Sequence, residues 1–189
     1  MPLFGCKPLP FDYWLAACAV MIPGILYASW IDYRQRRVPN WLNAAIAAAG
    51  FAAQAWYFGT GGLSSGALGL CVGFVVLIVP WLMHGMGAGD VKLMMAIGVW
   101  LGPGLTFASF CIGVIFGGVM AVAMIVSTRR ITNAWANLCT IFYKVSSRQT
   151  IFSDFGSARS FGETSQLLPY GVPLTLGTLV VFFSQLMLG

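Results

Sequence analysis

The chain has 189 residues, 59% of them hydrophobic and only 8% charged, with a mean hydropathy of +0.84; soluble domains are roughly a quarter charged. This excludes a water-soluble globular domain and leaves no room for a large appended one, so a single membrane domain over residues 1–189 is expected. The formal net charge of +5 would raise nucleic acid as a partner for a soluble protein. In a membrane chain basic residues first report orientation, and no nucleic-acid partner is expected.

The charges are spaced so that Tyr13 to Ile31, Val38 to Gly89, Leu93 to Thr128 and Thr164 to Gly189 contain none. A helix needs about 20 residues to cross about 30 Å of hydrocarbon. By that ruler the first stretch is one span, Tyr13 to Ile31. The second is two, Trp41 to Phe58 and Ala67 to Met83, broken at the turn-forming run Gly59-Thr60-Gly61-Gly62-Leu63-Ser64-Ser65. Gly102-Pro103-Gly104 divides the third into a short arm, Val91 to Leu101, and a full-length arm, Leu105 to Val126. The short arm is about 16 Å long, so it must begin below the membrane surface or be capped by other protein, with Asp90 near or inside the bilayer boundary. Leu168 to Leu188 supplies the last span.

Arg34, Arg36 and Arg37 lie between spans one and two, and Arg129, Arg130, Lys144, Arg148 and Arg159 between spans five and six. The positive-inside rule puts both loops in the cytoplasm. Four intervening spans satisfy this, which leaves both termini outside. The first apolar segment does not read as a cleaved signal peptide, because Lys7 is the only basic residue before it and the arginines follow it. Between spans five and six, Ile131, Trp135, Leu138, Ile141, Phe142 and Val145 fall at helical spacing opposite Thr132, Asn133, Asn137 and Lys144. That pattern fits an amphipathic helix on the inner surface or a connecting helix packed on the spans. No internal repeat is visible. The expected fold is an all-α membrane protein, a polytopic bundle of about six transmembrane helices in contact with membrane lipids. The five cysteines lack Cys-x-x-Cys spacing and read as small hydrophobes rather than metal ligands or a disulfide framework, so no metal is expected.

Few side chains are available for chemistry. The acids are Asp12, Asp32, Asp90, Asp154 and Glu163, and the one histidine is His84. Asp32 ends span one and Asp90 opens span four, so the topology puts both on the cytoplasmic side at similar depth. Two carboxylates in a partly desolvated site tend to share a proton, one serving as base and the other as acid. Such a pair can activate water against a peptide carbonyl with no cofactor. A serine or cysteine nucleophile would have to be built around His84 alone, which reads instead as an interfacial packing or hydrogen-bonding residue. Two other readings of the acids remain open. They can be interfacial ion pairs, Asp32 with Arg36 and Asp90 with Lys92, in a structural subunit, or ion sites of a small transporter.

Two local sequences bear on the choice. Trp30-Ile31-Asp32-Tyr33-Arg34-Gln35-Arg36-Arg37-Val38-Pro39-Asn40 resembles the first-aspartate region of the type IV prepilin peptidases, and Gly87-Ala88-Gly89-Asp90-Val91-Lys92-Leu93 resembles their Gly-x-Gly-Asp region. Leu168-Pro169-Tyr170-Gly171-Val172-Pro173 is similar to the opening of that family's last span. The resemblance implies an aspartic endopeptidase of the bacterial inner membrane with Asp32 and Asp90 as catalytic residues. Its partner would be a prepilin-like precursor, whose basic leader is removed on the cytoplasmic face after a glycine. It implies no cofactor, and it leaves the oligomeric state unspecified. The chain lacks the paired Cys-x-x-Cys insertion and methyltransferase region of the longer members and is similar to the compact peptidases of tight-adherence pili. Around the aspartates, Gly87 and Gly89 are expected to permit unusual dihedrals and close approach of a peptide. Pro39 is expected to stop the first helix and Asn40 to cap the next, while Lys92 orients a carboxylate, binds lipid phosphate or snorkels.

Overall fold

A computed structural model describes residues 10–35, 38–82, 86–127 and 170–188. Among them all regular structure is helical and there is no strand. Helix α1 is Phe11–Gln35, with a π-helical turn at Ala17–Met21. Helix α2 is Asn40–Leu82, α3 is Ala88–Ser127 and α4 is Gly171–Leu188. The first three are long and apolar enough to cross a membrane, and α4 carries a shorter apolar helix, Gly171–Gln185. His84, Arg36, Arg37 and the amphipathic segment expected at 131–145 lie outside the described residues. The chain divides into two compact units, Met1–Gly117 with Pro169–Gly189, and Gly118–Leu168. The described part of the second is the end of α3.

Both long helices are broken by one glycine. In α2, Gly59 adopts φ 61°, ψ −140°, a left-handed conformation that costs a residue without a Cβ little. A Cβ on Gly62 would overlap the Gln54 carbonyl, and one on Gly66 would lie 3.4 Å from the Phe51 ring, so the arms 40–58 and 60–82 fold back on one another. The sequence predicts a seven-residue turn here. The structure corrects this: Gly59 alone makes the reversal, and the remaining glycines and serines of the run are helical. In α3, Gly102 takes φ 71°, ψ 176°. Pro103 then begins the second arm, where its fixed φ suits a helix start and its missing N–H is not needed.

Ending a helix at Gly102 frees backbone carbonyls inside the protein. Gln54 Nε2 donates to Val99 O at 3.1 Å and to Trp100 O at 3.3 Å, and Tyr13 Oη donates to Trp100 O at 2.6 Å. The arm they serve, 88–101, is the core of the unit. Val91, Leu93, Met94, Ala96, Ile97, Val99, Trp100 and Leu101 are all buried, so the short helix is capped by protein on nearly every side. Close approach is possible because glycines line its neighbour. A Cβ at Gly69 would overlap Gly98 O, and one at Gly73 would sit 2.6 Å from Met94 O. Small residues serve membrane helices this way because lipid offers no hydrophobic drive to association. Trp100 Nε1 closes the other side by donating to Ile46 O at 2.9 Å.

Helix α4 packs along α1, with Trp14 and Phe182 rings 3.5 Å apart between centroids. It also meets the second arm of α3, where a Cβ on Gly113 would lie 3.3 Å from Pro173 O. Large apolar side chains such as Trp56, Val75, Phe107, Val114, Ile115 and Val119 are exposed. That is the surface expected of a protein whose solvent is lipid.

Candidate active site

Asp32 lies in the last turn of α1 and Asp90 in the first turn of α3, each only 5% exposed. They are close enough for the charge of Asp32 to act on Asp90. Asp32 Oδ2 accepts the backbone N–H of Gly171, at 3.0 Å, from the first residue of α4. A side chain at 171 would collide with it, because a Cβ would stand 2.9 Å from Oδ2 and 3.2 Å from the Asp32 Cβ. The same glycine's carbonyl accepts Ser29 Oγ at 3.0 Å and Thr175 Oγ1 at 2.8 Å, and the two hydroxyls hydrogen-bond each other.

Asp90 is held differently. Its backbone N–H closes a turn onto Gly87 O at 3.2 Å, while its Oδ1 is buried and, among the described residues, has no hydrogen-bond partner. Tyr170, just before α4, lies within reach of the Asp90 charge. The site therefore draws on α1, α3 and the start of α4.

The two aspartate-bearing segments dock directly. A Cβ on Gly89 would meet the Val38 backbone N at 3.2 Å and O at 3.4 Å, Asn43 Nδ2 donates to Gly89 O at 3.2 Å, and Lys92 Nζ donates to Asn40 Oδ1 at 2.9 Å. Several expectations change as a result. Among the described residues only Gly59 and Gly102 have positive φ, so Gly87 and Gly89 do not enter the left-handed region, and the chain's own Val38 packs on Gly89. Asn40 does not cap α2. The Pro39 carbonyl starts that helix by accepting Leu42 N at 3.2 Å and Asn43 N at 3.3 Å, which leaves the Asn40 side chain for Lys92. Lys92 is exposed and orients Asn40 rather than a carboxylate. The Asp32 to Arg36 pair falls on a residue outside the described set.

Ser29, Asn43 and Thr175 do not stand out in the sequence. Their one signal is that each is a small polar side chain in an otherwise apolar helix, where such groups find interhelical partners. Among the described residues no three His, Cys, Asp or Glu side chains come together as a metal site. Chemically, the arrangement offers two buried carboxylates able to exchange protons with a molecule placed between them.

Comparison with known families matches residues 19–122 to the type IV leader peptidase family, a segment that contains both aspartates. No curated protein and no solved structure matches the chain.

Proposed function

The chain belongs to the type IV leader peptidase family, and on that premise we propose that it removes the basic leader from a prepilin-like precursor, using Asp32 and Asp90 to activate water. The observation that carries this reading is that two carboxylates, each 5% exposed, sit on two helices near enough for the charge of one to act on the other. One aspartate, ionised, takes a proton from water as the water oxygen bonds to the scissile carbonyl carbon. The other donates its proton to the carbonyl oxygen, giving a neutral gem-diol. In the second step the first aspartate returns its proton to the amide nitrogen and the C–N bond breaks. The second recovers a proton from a diol hydroxyl as the new carboxyl forms. The products are an acid and an amine, and the dyad is reset without a cofactor.

The proposed setting is the bacterial inner membrane, with six crossings, both termini outside and the dyad at the cytoplasmic face. Arg34 and its neighbours support that orientation. A precursor anchored by its own apolar helix must then reach the site from within the membrane plane. The test is co-expression with a candidate prepilin, following precursor size on a gel. The intact chain is expected to release a leader-sized fragment, and Asp32→Asn and Asp90→Asn each to abolish its release while remaining inserted. Full processing by either variant refutes the dyad.

A further inference from the structure

Helix α1 grips both backbone polar groups of one residue. Asp32 accepts the N–H of Gly171 at 3.0 Å, and Ser29, three residues earlier and so on the same helix face, donates to its carbonyl at 3.0 Å. Thr175, one turn into α4, reaches back to the same carbonyl at 2.8 Å and bonds Ser29. Two hydroxyl hydrogens serve these three contacts, so either both point at the carbonyl or one hydroxyl donates to the other. The group is buried: Ser29 is 8% exposed and Thr175 2%. It fixes the N-terminus of an 18-residue helix, whose orphan N–H groups and dipole favour an anion there. Asp90 also opens a helix, and its carboxyl takes a hydrogen bond from the Gly87 backbone, but its Oδ1 is buried and, among the described residues, meets no donor. An unpaired carboxylate oxygen is costly to keep charged in such a place.

We propose that Ser29 and Thr175 are positioning residues which pin Gly171 N–H onto Asp32, making Asp32 the base and leaving Asp90 to carry the proton. The proposal rests on the dyad reading above and divides its two roles. Among the described residues, the titratable groups coupled at this point are Asp32 on α1, Asp90 on α3 and Tyr170 ahead of α4.

The test measures precursor cleavage by the full-length, membrane-reconstituted chain as a function of pH for Ser29→Ala, Thr175→Val and Thr175→Ser. Loosening the donor makes the anionic form of the base harder to reach. The acidic limb of the kcat/KM profile should therefore move up by about one pH unit, and kcat should fall about tenfold with KM nearly unchanged. Thr175→Ser keeps the hydroxyl and should keep the wild-type profile, which a purely steric role for the threonine methyl would not allow. If Ser29→Ala does not insert, the contrast between Thr175→Val and Thr175→Ser decides. Wild-type kcat and limb position in the hydroxyl-free variants, with Asp32→Asn and Asp90→Asn inactive, overturns the positioning role and leaves the dyad standing. Cleavage that survives the aspartate substitutions overturns both.

Discussion

Asn43 donates its side-chain amide to the carbonyl of Gly89, 3.2 Å away, so the first turn of α2 holds the residue that precedes Asp90. Asn43 is 4% exposed, and its removal leaves a backbone carbonyl without that donor. Asn43→Leu is expected to cost about 1–3 kcal/mol and to slow precursor cleavage about tenfold. Cleavage rate and thermal midpoint in detergent, measured together, check this; an unchanged rate removes Asn43 from the site's support.

The contact between Lys92 and Asn40 lies in the open. An exposed polar pair contributes at most about 1 kcal/mol, so Lys92→Ala and Asn40→Ala should each leave cleavage within about threefold of the parent. A loss as large as that of Asp90→Asn would mean that Lys92 acts on the carboxylate itself.

Glycine at 69 is a matter of space. Its missing Cβ would overlap Gly98 O, whereas nothing lies within 4 Å of a Cβ at Gly61. Gly69→Ala should destabilise the protein by about 2 kcal/mol or more through forced separation of the arms. Gly61→Ala, at a helical position whose own φ is not positive, should be neutral or stabilising by up to about 1 kcal/mol. Thermal unfolding in detergent separates the two, and equal midpoints would contradict the packing described.

Gln54 serves carbonyls nine and ten residues along α3 from Asp90, about 14–15 Å by helix rise. Gln54→Leu should therefore lower stability by about 1–3 kcal/mol while leaving the cleavage rate at low temperature near that of the parent. A large rate loss in a fully folded variant would couple this distant end to the site.

The approximate places where α2 and α3 break were legible from Gly59 and Gly102, because a glycine cluster in an apolar run has few other uses. The approach of Asp32 and Asp90 was also legible, since the two arms of α2 that separate them reverse at Gly59 and bring the chain back. The partners of those carboxylates were not. Gly171 reaches Asp32 across more than a hundred residues of chain, and Asn43 reaches Gly89 through helix packing; one sequence carries no record of which helices touch. Asn40 shows the converse error. Its position fits a cap by local rules, but the Pro39 carbonyl accepts the Leu42 and Asn43 N–H groups and the Asn40 side chain accepts from Lys92.

Helix α1 buries Tyr13, Ala17, Met21 and Ile25, a spacing of four that an α-helix cannot hold on one line. Each such step overshoots a full turn by about 40°, so three would wander about 120° around the axis. The π turn at Ala17–Met21 holds an extra residue and takes up much of that drift. It acts as a phase corrector between the two ends of the helix, keeping Tyr13 against the core while Ser29 and Asp32 face Gly171. A residue removed within that turn would let it close as an ordinary α-helical turn with the phase kept, whereas one removed from the α-helical stretch between Met21 and Ser29 would rotate everything beyond by about 100°. Asp32 would then be carried away from the start of α4.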